Sequence, residues 1–174
     1  MGKRSDFARR PQDAYDTPLE AVKPLLGHLP PRTLFVEPCA GKMSLADALE
    51  SAGHNCAVAM DIAPRHERVR EGCALTCGFG MGADYIITNP PWTRSVLHPM
   101  IERFSTIAPT WLLFDADWIH TKQASPFMWR LRKIVSVGRV KWIEDSKHTG
   151  KDNAAWMLFD AKGTGPAEFF GRAA

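Results

Sequence analysis

At 174 residues, 45% of them hydrophobic and 24% charged, the chain is long enough to bury one core and has the composition of an ordinary globular domain. A formal net charge of +3 is mildly basic, which admits a nucleic-acid partner without requiring one. No stretch is apolar over the roughly twenty residues a membrane helix needs, and the charged start, Met1-Gly2-Lys3-Arg4-Ser5-Asp6, has no apolar segment behind it, so a cytoplasmic protein with no membrane partner is expected.

Residues 1–12 form a basic arm carrying Lys3, Arg4, Arg9 and Arg10, either a solvated tail or a segment that meets phosphates. One domain is expected over 13–162, and 163–174 reads as a C-terminal tail. Near its start, Ala21, Val22, Leu25 and Leu26 recur at helical spacing. Ahead of them Thr17 suits an N-cap, Pro18 the first helical position and Glu20 a capping box.

Thr33 to Glu37 is the clearest strand, and it runs into the small-residue turn Pro38-Cys39-Ala40-Gly41-Lys42. A helix capped by Ser44 follows, ending at Gly53. Strand, small turn, helix is how an open parallel sheet receives a nucleotide-like ligand. The phosphate-loop pattern fails because Val36 stands at its leading glycine, and the dinucleotide pattern fails because Met43 stands at its second. A nucleoside-like ligand without a pyrophosphate fits better. The next strand, Cys56 to Met60, ends in Asp61, about twenty residues after Gly41, where a ribose diol is commonly held; the plainer reading is an acid capping the segment that follows.

Tyr85 to Thr88 reads as a short buried strand that stops at Asn89-Pro90-Pro91-Trp92, since two prolines cannot continue a ladder. The Asn89 side-chain oxygen and the Pro90 carbonyl can both accept hydrogen bonds from one exocyclic amine, with Pro91 stiffening the turn and Trp92 stacking on the ring that bears the amine. Val96 to Ile107 reads as a helix and Thr110 to Phe114 as a strand. Asp115 and Asp117 share a face, a pattern read as the polar end of a strand and not as a metal site. A helix over Phe127 to Ile134, a strand over Val137 to Ile143, a Lys-rich loop over Glu144 to Lys151 and a last strand over Asn153 to Phe159 complete the chain. Cys39, Cys56, Cys73 and Cys77 match neither a disulfide framework nor a zinc module; they read as free thiols, and no metal is expected.

Glu37-Pro38-Cys39-Ala40-Gly41 resembles the first motif of class I S-adenosylmethionine-dependent methyltransferases, Asp61 resembles their ribose-binding acid, and Asn89-Pro90-Pro91-Trp92 resembles the catalytic motif of the branch that methylates exocyclic amines. Tyr15, Thr17 and Pro18 resemble the segment that, in adenine-N6 DNA methyltransferases of this motif order, meets the methionine end of the cofactor. The resemblance spans about Tyr15 to Phe159. It implies an α/β, Rossmann-like methyltransferase domain with a mostly parallel seven-stranded sheet, helices on both faces and a C-terminal antiparallel hairpin. It implies S-adenosyl-L-methionine as cofactor, held by Tyr15, Thr17, Pro18, Glu37, Pro38, Cys39, Gly41, Asp61, Ile62, Cys77, Phe79 and Asn89. The catalytic residues would be Asn89, Pro90, Pro91 and Trp92. Two departures stand out: Met43 replaces the usual second glycine of the first motif, and Cys77-Gly78-Phe79 lies where an Asp-Phe pair commonly meets the cofactor's adenine.

The activity implied is methyl transfer to an exocyclic amine, with adenine N6 in DNA the leading substrate and little sequence specificity. RNA base N-methylation is an open alternative. Protein-glutamine N5 methylation is another, although its family implies a docking domain ahead of the first motif and only 32 residues precede Thr33. The non-enzyme alternative is a degenerate module that only binds nucleic acid.

Overall fold

The computed structural model describes residues 15–78, 82–143 and 149–172. The basic arm, Phe79 and the centre of the Lys-rich loop, 144–148, lie outside the described residues. The elements are α1 (Leu19–Leu26), β1 (Leu34–Glu37), α2 (Ser44–Ser51), β2 (Asn55–Asp61), β3 (Arg70–Glu71), β4 (Tyr85–Thr88), α3 (Arg94–Ile107), β5 (Thr110–Asp115), two short 3-10 helices (Ala116–His120 and Lys122–Arg130), β6 (Leu131–Arg139), β7 (Asn153–Phe159) and β8 (Glu168–Phe170).

The strands make one sheet in the order β3-β2-β1-β4-β5-β7-β6-β8. Every neighbouring pair is parallel except β5–β7 and β6–β7. Only β7 therefore runs against the rest. Strands 1 to 3 grow outward on one side of β1 and β4 begins the other side, so the order reverses between β1 and β4. Ligands of open α/β sheets sit at the carboxyl ends of the strands at such a reversal.

Both faces of the sheet are covered, and the period-2 pleat divides each strand between them. In β5, Trp111 and Leu113 join Ala21, Val22, Leu25, Leu45 and Leu49 of α1 and α2 on one face. Leu112 and Phe114 join Leu97, Ile101 and Phe104 of α3, with Trp118 and Phe127 of the 3-10 helices, on the other. β7 divides the same way, Trp156 to the first face and Met157 to the second. The Trp156 indole donates to the Ala21 carbonyl at 2.7 Å, which ties α1 to the sheet.

The structure corrects the sequence reading at several places. The sheet has eight strands, because β8, inside the segment read as a tail, adds in parallel to β6. Arg132 holds that segment by donating to the carbonyls of Gly163 and Gly165. The helix expected over Phe127 to Ile134 is a 3-10 turn that stops at Arg130, and the strand expected from Val137 begins at Leu131. Phe127, Leu131 and Ile134 do have helical spacing, but a register shift between Leu131 and Lys133 breaks the alternation of a strand and produces that spacing. Thr17 caps nothing: Pro18 occupies the cap of α1 without a side-chain bond. Ser44 is the first residue of α2, whose cap is Met43 in the left-handed conformation at φ 74°.

Candidate active site

A cavity of about 980 Å³ opens at the carboxyl ends of β1, β2 and β4. Three chain segments build its floor. Pro38, Cys39 and Gly41 turn the chain from β1 into α2, and Gly41 adopts φ 50°, a conformation that glycine enters without a Cβ penalty. A Cβ there would lie 2.6 Å from the Arg65 guanidinium, so a side chain at this position would require that flexible group to shift. Asp61 and Ile62 end β2 on the second wall, and Asn89 and Pro91 end β4 on the third.

Asp61 is held with its carboxylate aimed. Its Oδ2 accepts from the Gly41 amide at 2.9 Å and its Oδ1 from the Ala63 amide at 2.8 Å. Each oxygen keeps acceptor capacity for a further donor. Glu37 is buried at the end of β1, with 2% of its surface exposed, and its Oε2 has no hydrogen-bond partner. Burial pushes its carboxyl well above the usual carboxylate range; a hydrogen bond from the Ala46 amide, in the first turn of α2, pulls the other way. Burial likewise pushes the Cys39 thiol up to about 12, which makes it a neutral wall group and not a nucleophile.

The sequence-derived residues divide. Tyr15, Thr17, Glu37, Pro38, Cys39, Gly41, Asp61, Ile62, Asn89 and Pro91 line this one cavity, although they come from four separate stretches of chain. Pro18, Pro90, Trp92 and Cys77 are not on its wall. Cys77 instead packs its sulfur against Gly72 and its carbonyl accepts from Arg103; the wall beyond Asp61 is made by Glu71, Cys73, Ala74 and Leu75. Trp92 is turned inward, its Nε1 donating to the Leu113 carbonyl at 3.2 Å, and it meets Trp142 edge to face with centroids 5.7 Å apart. Asp115 accepts from the Asp117 amide and pairs with Arg94 at 3.4 Å, the ordinary work of a strand-end carboxylate. Among the described residues no group of three or more His, Cys, Asp or Glu is placed to hold a metal ion, and no helix is long and apolar enough to cross a membrane.

Three residues were missed in the sequence. Asp16 reaches across the cavity mouth to Arg65 at 2.6 Å and to Lys42 at 3.2 Å. Trp142, just past β6, completes an aromatic group with Trp92 and Tyr15. The signal for Asp16 was its place between two residues already singled out; Arg65 and Trp142 carried none, since only folding brings them to the site.

No family model matches the chain, and no curated protein matches it in sequence. Solved structures do match in fold. A candidate RNA methyltransferase from Pyrococcus horikoshii is similar over 91% of each chain, with a TM-score of 0.59 at 15% identity. A candidate class I S-adenosylmethionine-dependent methyltransferase from Listeria monocytogenes is similar over 90% of this chain and 63% of its own, with a TM-score of 0.55 at 10% identity. The modification subunit of a candidate type I restriction enzyme from Vibrio vulnificus is similar over 92% of this chain and 47% of its own, with a TM-score of 0.59 at 10% identity. The chain thus has the fold of class I S-adenosylmethionine-dependent methyltransferases, and it spans just under half of the restriction subunit.

The cavity's donor set fits that cofactor. A ribose diol would find the two oriented oxygens of Asp61, and an ammonium group would supply the partner that Glu37 Oε2 lacks. Asp61 and Glu71 add carboxylates to the walls, whereas Asp16 is already paired with Arg65 and Lys42.

Proposed function

We propose that the protein is an S-adenosylmethionine-dependent N-methyltransferase acting on an exocyclic amine, with adenine N6 in DNA as substrate and a short sequence context. The observation that supports this most directly is the placement of the Asn89 amide, at the end of β4, on the wall of the cavity that also presents Asp61 and Glu37. S-adenosylmethionine, when bound, supplies a methyl group already activated by its sulfonium. Asn89 Oδ1 would then accept a hydrogen bond from the amine, which draws the nitrogen lone pair out of conjugation and aims it; the sequence suggests the same role for the Pro90 carbonyl, although no part of Pro90 lines the cavity. No strong base is required of the chain, because the nitrogen loses its proton only after it has become cationic.

The sheet edge beside Asn89 supports a polyanionic partner. β6 runs in the same direction as β4, so Arg139 and the exposed Lys141 and Lys151 of the β6–β7 loop lie along that edge. RNA is the second reading, favoured by the near-complete mutual coverage with the candidate RNA methyltransferase.

The test is incubation with tritiated S-adenosylmethionine and, separately, DNA, RNA and protein. Label is expected in N6-methyladenine of DNA. Asn89→Ala should lower turnover by on the order of a hundredfold, as for other preorganised polar groups, with S-adenosylhomocysteine affinity nearly intact. Asp61→Ala should instead weaken that affinity by roughly tenfold or more, the scale of lost hydrogen bonds to a charged group. Label confined to RNA selects the second reading, and an Asn89→Ala variant as fast as wild type removes the amine-gripping mechanism.

A further inference from the structure

A side-chain amide has two chemically opposite ends, and only the oxygen can accept a hydrogen bond from an amine. Which end of Asn89 faces a substrate is decided by the groups around it. Its Nδ2 lies 3.3 Å from the Tyr15 carbonyl oxygen and 3.2 Å from Thr17 Oγ1, so two acceptors face that end of the amide. The Tyr15 carbonyl has no proton to give, and turning the amide over would set two acceptors against each other. The Trp92 indole, which only donates, approaches Oδ1 at 3.4 Å while lying nearer, at 3.2 Å, to the Leu113 carbonyl. That contact favours the same orientation and, being long and shared, leaves Oδ1 with acceptor capacity.

We propose that the Tyr15–Thr17 segment is a positioning element for methyl transfer: Thr17 Oγ1 and the Tyr15 carbonyl take both Nδ2 protons and hold the Asn89 amide in the one orientation that offers Oδ1 to the substrate amine. Thr17 is thus a positioning residue, beyond any contact it makes with the cofactor. The segment is itself tied to the opposite side of the cavity. Asp16, between the two contacts, accepts from the Arg65 guanidinium at 2.6 and 3.4 Å and pairs with Lys42 at 3.2 Å. Arg65 in turn donates its amide to the Gly41 carbonyl. The turn that would seat the cofactor and the amide that would grip the substrate therefore share one three-residue strap. The inference rests on the proposed function for what Asn89 does, and on geometry alone for how Asn89 is held.

Thr17→Val keeps the branched shape and removes the acceptor, whereas Thr17→Ser keeps the hydroxyl. With tritiated S-adenosylmethionine and a single-stranded adenine-containing oligodeoxynucleotide, Thr17→Val is expected to lower kcat by about tenfold or more, the scale of one lost orienting hydrogen bond. The Kd for S-adenosylhomocysteine, by calorimetry, should change by a smaller factor than kcat, because any contact of Thr17 with the cofactor is lost from both whereas the orienting contact is lost from kcat alone. Thr17→Ser should recover most of kcat. In nitrogen-15-labelled protein the Asn89 Nδ2 proton resonances, identified by their loss in Asn89→Ala, should shift upfield in Thr17→Val and stay in place in Thr17→Ser. A wild-type kcat in Thr17→Val, a parallel loss of kcat and S-adenosylhomocysteine affinity, or a Thr17→Ser variant as slow as Thr17→Val overturns the proposal. Should the wild-type protein methylate no adenine, the proposed function falls separately: the Nδ2 resonances then decide alone, shifted ones retaining the positioning contact and unshifted ones overturning it.

Discussion

Glu37 is a residue whose chemistry the fold alters. Burial raises its pKa well above 4.5, and the nearby carboxylates of Asp61 and Asp47 push in the same direction. The folded protein therefore keeps a proton that the unfolded chain gives up, so this group's contribution to stability falls as pH rises from the unfolded value toward the folded one. Ligand binding should act on the same proton. An ammonium beside Oε2 favours the ionised carboxylate, so S-adenosylhomocysteine binding is expected to release protons in the pH range where the folded group keeps its own. Calorimetry in phosphate and in Tris, whose ionisation enthalpies differ, should give different apparent enthalpies for wild type. In Glu37→Gln that difference should shrink, and a buffer-independent wild-type enthalpy would place the ligand's cation elsewhere.

At the level of the elements, the turn into α2 shows two opposing energies. A left-handed non-glycine residue costs roughly 1 to 2 kcal/mol, and Met43 adopts φ 74° at the cap of α2. Its side chain is 1% exposed and packs in the core with Leu45, Leu49 and Phe35. Truncating a buried Met costs about 2 to 5 kcal/mol, so burial outweighs strain and the position holds Met where the resembling family has glycine. Met43→Gly should destabilise the protein by a net of up to about 4 kcal/mol, the difference of these two terms. Urea unfolding measures it, and a more stable Met43→Gly protein would mean that the side chain contributes little there.

For the whole molecule, and on the proposed function, the described residues along the sheet edge bear on how a substrate would be read. Direct readout gives roughly 1 to 3 kcal/mol of discrimination per good bidentate contact with a base, whereas Arg139, Lys141 and Lys151 are groups that mostly meet phosphates. Binding should weaken steeply with salt and prefer few sequences over others. On a plasmid methylated in vitro, sequencing should find modified adenines sharing about one to three bases of context, with easily opened sites favoured because flipping costs less there. A strict site of four or more bases would contradict this.

Much of this protein was legible in its residues. Tyr85–Thr88 and Asn153–Phe159 have the bounds expected from their β-rich runs, and Arg94–Ile107 contains the expected helix, because each carries an uninterrupted pattern and a clear stop. The two turns that line the cavity were also legible as turns, since glycine, proline and a strand-end acid mark them locally. Other features depended on partners distant in sequence. The start of β6, Leu131 to Ile134, is strand although its spacing suits a helix, because β7 and β8 pair with it on both sides and the β6–β7 ladder takes up its register shifts. Thr17 faces Asn89 instead of capping α1, a contact spanning 72 positions. Local sequence sets which conformations a segment prefers, but where a side chain points once several are open is decided by the groups the fold brings against it, and for the Asn89 amide those groups come from Tyr15, Thr17 and Trp92.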